Sequence, residues 1–316
     1  MIKYKLLILT GSLLLCSACT DKEPLVPANI IQNFLAPYSQ AEKKLIKKDH
    51  KNIRELCFLK AKNKKLYVAT AGPPAASKST ILETHLKNRP GFVYVDPDQR
   101  ALKFMIYTYL QETNNYNISR NKSYRSLLKK AYNKWRAASN YIANSILNEA
   151  YTKNFAIAHG TTSTNKNIDS LYKKLKNKGY KITLLLCNSP KKNRIKATKY
   201  RAKKQCLVQS TYKDLIKKEN MFYERFPTYF KFADQIEMFW IDNFAKGWTK
   251  VATYSKPKGF KKLHQDYEKF AKSYEDYRNK HTNKKLPSLE ALVKPKNNSG
   301  LRGQASVKGS GVDLIP

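Results

Sequence analysis

Lys78, Ser79 and Thr80 close a nine-residue run, Gly72-Pro73-Pro74-Ala75-Ala76-Ser77-Lys78-Ser79-Thr80, set between a strand-like apolar segment and a helix-like one. A Gly-led loop that ends in Lys-Ser at a helix start is how proteins cradle phosphates. Backbone N–H groups wrap the anion, the Lys reaches the β- and γ-phosphates, and the hydroxyl is available to ligate Mg²⁺. The usual pattern is Gly, four residues, Gly, Lys, Ser/Thr, and here Ser77 replaces the second Gly. Ser carries a Cβ and resists the positive φ that Gly accepts, so the loop is expected either to shift or to tolerate strain. Taken alone, the run also reads as a Gly/Pro/Ser loop with an incidental Lys.

Three further constellations follow strand-like segments. Asp98 lies just after Phe92-Val93-Tyr94-Val95, in Asp96-Pro97-Asp98-Gln99-Arg100. A carboxylate at that strand end faces the crevice of the phosphate loop, where it is placed to take the proton of an attacking hydroxyl. Both Asp96 and Asp98 also suit a turn or a helix cap. His159-Gly160-Thr161-Thr162 follows Phe155-Ala156-Ile157-Ala158. The Gly permits close backbone approach and the hydroxyls suit a polar ligand, while a lone His is as readily structural. Arg194 and Arg201 lie in a Lys-rich stretch after the segment ending at Cys187. There they are placed to stabilise charge on a transferring phosphoryl group, or simply belong to a solvated basic helix. No other His stands at metal-ligand spacing from His159, so no transition-metal site is expected.

The elements that must hold these residues alternate. Leu66 to Ala71, Phe92 to Val95, Phe155 to Ala158, Ile182 to Cys187 and Met238 to Ile241 read as strands. Tyr141 to Lys153 and Ile168 to Leu175 carry apolar residues at helical spacing, the second with Gly179 as its stop. Strands separated by helices predict an α/β fold of three layers with a parallel sheet covered on both faces. Upstream, residues 20–60 read as a tether followed by one or two helices from Ile30 to Phe58. Downstream of residue 255, Phe260, Leu263, Tyr267, Phe270, Tyr274 and Tyr277 are spaced 3, 4, 3, 4, 3. That spacing predicts one helix over 256–281 docked on the core. Residues 282–316, rich in Lys, Pro, Asn, Gly and Ser, read as a mobile tail.

The chain has 316 residues, 61 Lys+Arg against 23 Asp+Glu and a net charge of +38, with 41% hydrophobic residues. It is rich enough in apolar residues to build a core, and no apolar run is long enough to span a bilayer. The charge favours anionic ligands, but only 11 of the cations are Arg, which speaks against nucleic-acid recognition as the main function. Lys3, Lys5 and the Leu6 to Leu15 run, ending in Cys16-Ser17-Ala18-Cys19, read as an export signal over residues 1–19. Lipidation of Cys19 or ordinary cleavage near Ala18 both fit, giving an envelope or secreted protein, and a cytoplasmic one if the segment is not processed. The remaining Cys57, Cys187 and Cys206 are spaced too widely for a disulfide framework or a zinc site.

In that order the motifs resemble those of the zeta-toxin family of P-loop kinases over roughly residues 65–243. Besides the loop, Asp96 to Arg100 and Gly160-Thr161, the likeness rests on Gly179-Tyr180 before a strand, Phe222-Tyr223-Glu224-Arg225-Phe226-Pro227, and Ala233-Asp234. The resemblance implies a fold like that of small nucleotide kinases, to which the patterning adds helical extensions at both ends, and use of ATP and Mg²⁺ to phosphorylate UDP-N-acetylglucosamine at a sugar hydroxyl. It also implies an antitoxin or host target as partner. In those terms Gly72 to Thr80 bind ATP, Lys78 and Ser79 are the phosphate-loop pair, and Ser79 is the metal ligand. Asp98 is the base, His159, Gly160 and Thr161 line the acceptor, and Arg194 and Arg201 contact ATP. Ser77 stands where most members carry Gly, and His159 where many carry Glu. A P-loop kinase with another acceptor fits the same residues, as does a non-catalytic basic nucleotide- or nucleic-acid-binding protein on the same scaffold.

Overall fold

Along Leu66–Ala71 (β1), Tyr67, Ala69 and Ala71 enter one apolar cluster and Val68 enters another, so alternate side chains are buried on opposite faces of a sheet. The same alternation runs through Phe92–Val95 (β2), Ala156–His159 (β3), Lys181–Asn188 (β4) and Gln235–Asn243 (β5). Strands buried on both faces need layers on both sides, and a computed structural model of the chain has them. It describes residues 23–105, 122–205, 210–244 and 246–294.

The sheet has seven strands in the order β2-β3-β1-β4-β5-β6-β7. Strands β1 to β5 are mutually parallel, as expected. Gly247–Ser255 (β6) and Gly259–Lys262 (β7) add an antiparallel extension beyond β5. One face carries Ala28–Asn33 (α1), Gln40–Phe58 (α2), the 31-residue Lys122–Thr152 (α4) and Ile168–Asn177 (α5). It also carries Tyr212–Glu224 (α7) and Phe226–Phe232 (α8), whose aromatic residues interlock with Tyr267–Lys280 (α9). Lys78–Leu86 (α3) packs Ile81 and Leu82 on the other face, and Lys191–Gln205 (α6) follows β4.

α2 begins at a reciprocal cap: the Ser39 hydroxyl accepts from the Glu42 N–H, and the Glu42 carboxylate accepts from the Ser39 N–H. The Arg54 guanidinium then grips Glu149 on α4 with two bonds, 2.5 and 2.7 Å. These contacts bind the N-terminal helices to the core. Residues 23–27 are pinned rather than loose, since Leu25 is buried and the Asn148 side chain bonds both the N–H and the carbonyl of Val26.

Two expectations downstream need correction. The seam read from Phe260 to Tyr277 is not one helix. Gly259, at φ 68°, turns the chain into β7, so Phe260 belongs to a strand, Leu263 is exposed, and the helix starts at Tyr267. Phe270, Tyr274 and Tyr277 do dock on the core as expected. The beginning of the tail is ordered as well. The Ser288 hydroxyl caps Leu289–Val293 (α10), whose Leu289 and Val293 are buried, and the Leu289 N–H donates to Glu275. The export signal, Cys19, Cys206 and residues 295–316 lie outside the described residues.

Candidate active site

Because β1 to β4 are parallel and in register, with Val95 opposite His159 and Ala71 opposite Leu186, the four loops that follow them emerge at one edge of the sheet. The fold therefore gathers all four constellations read from the sequence.

The loop after β1 is shaped by its backbone. At Gly72, φ is 153°, and a Cβ there would collide with the Cys187 carbonyl oxygen of β4, so only Gly fits. Pro73 and Pro74 follow, and Ala75 (φ 59°) and Ser77 (φ 50°, ψ 22°) are both left-handed. The Ser77 question is thus answered by strain: the loop keeps its left-handed turn, at about 1–2 kcal/mol for each residue with a Cβ. Left-handed residues alternating along a loop turn successive N–H groups toward one side, which makes a nest for an anion. Behind the loop Ala76 is fully buried against Ile81 and Leu82. Ser77 makes no side-chain cap to α3, and the first turn of α3 has no acidic residue, so the positive end of the helix is left to whatever the loop binds.

Lys78 folds its ammonium onto the Pro73 carbonyl at 2.6 Å. Burial lowers its pKa to about 8, aided by Lys218, Arg201 and Arg194 and opposed by the Cys187 thiol. Lys218, Arg201 and Arg194 thus lie near enough to Lys78 to gather positive charge beside the loop. Arg194 and Arg201, seven residues apart on one face of α6, have distinct environments. Arg194 is 1% exposed, donates to the Ser189 carbonyl at 3.1 Å and pairs with Glu219 of α7. Arg201 is partly exposed. Lys218, on α7 beside Glu219, was not singled out from the sequence, and nothing in its Lys-rich surroundings could have marked it.

After β2 the chain enters a single π-helical turn, Pro97–Leu102. Asp96 is buried and its carboxylate accepts from the Asp98 N–H at 2.8 Å, so it builds the turn. Asp98 is exposed and pairs with Arg136 of α4, a second residue the sequence did not reveal. Of the two carboxylates only Asp98 is open to an incoming hydroxyl.

The loop after β3 is tied to the phosphate loop. The Gly72 N–H donates to the Thr162 carbonyl at 3.1 Å, Thr70 bonds both backbone groups of Thr161, and the Ser163 hydroxyl donates to the Thr70 carbonyl. Gly160 does permit a close approach, but what approaches is the Asp96 carboxylate, which a Cβ would strike. His159 shares a 2.7 Å bond with the Tyr67 hydroxyl through Nδ1, and burial lowers its pKa to about 4, so it is neutral at pH 7. Ser79 and Thr80 lie in the first turn of α3, where the Ser79 hydroxyl is the available protein ligand for Mg²⁺. Among the described residues no group of three His, Cys, Asp or Glu forms a metal cage. That donor set suits Mg²⁺, which is commonly held by nucleotide phosphates and water with few protein ligands. A cavity of about 680 Å³ lies far from this chemistry, at the edge where the strands begin, between Lys62, Lys64, Arg89 and Lys181.

A strained Gly-led loop running into a bare helix start, on a sheet of order β2-β3-β1-β4-β5, defines a P-loop kinase-like α/β fold. Solved structures share it. The chain is similar to the AvrRxo1-ORF1:ORF2 complex with ATP (14% identity, 79% of this chain and 77% of that one, TM-score 0.57). It is similar also to the native AvrRxo1-ORF1:ORF2 complex (15% identity, 85% and 90%, TM-score 0.55). A chain of the PezAT chromosomal toxin–antitoxin system of Streptococcus pneumoniae aligns over 77% of this chain and 97% of its own, at 14% identity and a TM-score of 0.48. Compared by sequence, the chain matches no family model and no curated protein. These likenesses are of fold.

Proposed function

We propose that the chain is an ATP-dependent phosphotransferase whose acceptor is a hydroxyl of a small anionic molecule, a sugar nucleotide such as UDP-N-acetylglucosamine. The observation that carries this reading is the convergence of Lys78, Arg201 and Lys218 on a strained loop at an uncapped helix start, with the exposed Asp98 at the same sheet edge. An ATP complex among the structures of similar fold supports the nucleotide.

In this reading the nest and Lys78 hold the β- and γ-phosphates, Arg201 and Lys218 offset charge on the moving phosphoryl group, and buried Arg194 fixes the α6 cover. Bound Mg²⁺ would neutralise phosphate charge beside Ser79. Asp98 accepts the acceptor's hydroxyl proton as the new O–P bond forms and the bond to the leaving ADP oxygen breaks. Gly160, Thr161 and neutral His159 line the acceptor side. A protein partner such as an antitoxin is supported by the similar fold of AvrRxo1-ORF1, which is found in complex with ORF2. Residues 1–19 suit export, with Cys19 as a candidate lipid anchor.

The test is γ-labelled ATP offered with sugar nucleotides, small nucleotides and RNA. One acceptor class should take label, and Asp98→Asn should reduce transfer by about 100-fold or more while ATP binding persists. ATP binding without any labelled product would leave a nucleotide-binding protein instead.

A further inference from the structure

Asp98 and Arg136 form an ion pair that opens to solvent, their side chains 55% and 34% exposed. The pair spans 38 residues of sequence and joins the turn after β2 to the middle of α4. It poses a difficulty for the reading above. A carboxylate oxygen that accepts from a guanidinium has that lone pair engaged, so it is poorly placed to accept a hydroxyl proton. For Asp98 to turn to a hydroxyl, Arg136 needs another anion. Among the described residues one of its five N–H donors is committed, to Asp98, and its planar fork suits two oxygens of a phosphate. A pair this exposed is weak, so a dianion competes for it readily. A neutral sugar does not.

Resting on the phosphotransferase reading, we propose that Arg136 is the specificity residue for the acceptor, exchanging Asp98 for a phosphate or diphosphate of that molecule and so releasing Asp98 toward its hydroxyl. The site thereby selects acceptors that carry phosphate, and the same contact that recognises the acceptor frees the base.

The probe is inorganic pyrophosphate, titrated by calorimetry at about 0.15 M salt into protein whose phosphate loop is saturated with a non-hydrolysable ATP analogue and Mg²⁺. The wild type should bind pyrophosphate, Arg136→Met should weaken it roughly tenfold or more, and Arg136→Lys should fall between. Asp98→Asn removes the internal competitor and should tighten it several-fold, a gain that a misfolded variant does not produce. Pyrophosphate binding indifferent to Arg136→Met, or weakened by Asp98→Asn, overturns the inference while leaving the kinase reading intact. Failure of the wild type to bind the ATP analogue overturns both.

Discussion

Ser77 holds a left-handed backbone with a Cβ in place, a conformation readily available only to Gly. Ser77→Gly should therefore raise stability by about 0.5–1 kcal/mol, the strain relieved less the extra freedom Gly has when unfolded. A higher denaturant midpoint at unchanged slope is the expected result. Gly72→Ala should do the reverse and lose about 3 kcal/mol or more, because its Cβ meets backbone that has no room to yield. Lys78, with its pKa near 8, makes nucleotide binding sensitive to pH. Phosphates raise that pKa on binding, so binding takes up a proton near pH 8 and weakens as pH rises further. Calorimetry in buffers of different ionisation heat should register that uptake, and Lys78→Arg should abolish it; affinity unchanged up to about pH 9.5 would separate Lys78 from the phosphates. The loop was legible from Gly72, Lys78 and Ser79 because local geometry demands those residue types. Arg136 and Lys218 were not, since their roles depend on partners that only the tertiary fold brings near.

At the level of elements, a buried ion pair joins α6 to α7. Arg194 of α6 is almost wholly buried, and Glu219 of α7 is the carboxylate that compensates it. Glu219→Ala should destabilise the protein by about 3–5 kcal/mol, while Arg194→Met combined with Glu219→Leu should recover most of that. Thermal unfolding of the single and double variants measures both, and equal stability of the two would show that Arg194 finds a second partner. The sequence could not separate Arg194 from Arg201, because i and i+7 lie on the same helical face and the difference comes from α7. Elsewhere the element reading failed where a turn mimicked a period. Phe260 and Leu263 fit a 3, 4 spacing with Tyr267, yet Gly259 and the preceding Lys256-Pro257-Lys258 form a hairpin that breaks it.

For the molecule as a whole, several described groups shape the response to acid, among them His50, whose pKa burial lowers, and the three that follow. Burial lowers the pKa of His159 to about 4 from 6.5. The Arg54 contact, with Lys153, lowers Glu149 to about 2 from 4.5. Burial would raise Glu237, but His85 and Lys250 prevail and bring it to about 2. In each case the unfolded chain binds more protons between the two values, so stability rises with pH through both windows and is lost on acidification. Unfolding by denaturant should show a first loss between pH 6.5 and 4 and a second from 4.5 toward 2. His159→Gln should reduce only the first, leaving the share due to His50; a loss that begins only below pH 4.5 would remove both histidines from the account. The parallel half of the sheet was readable because strands buried on both faces are continuously apolar. The antiparallel half was not, since β6 mixes Thr249, Lys250 and Thr253 among its apolar residues and resembles a loop until it pairs with β5.

β7 is bonded to β6 on one side and, among the described residues, to no strand on the other. An unpaired strand edge is a template on which a second chain can add, the first step of edge-to-edge aggregation. Here the edge is four residues long and ends in exposed Lys261 and Lys262, on a chain already carrying +38. Two copies approaching edge to edge would bring lysines against lysines, and so short a strand offers few backbone bonds in return. Part of the surplus of lysine thus acts as a guard on solubility, holding an open sheet apart from its own kind.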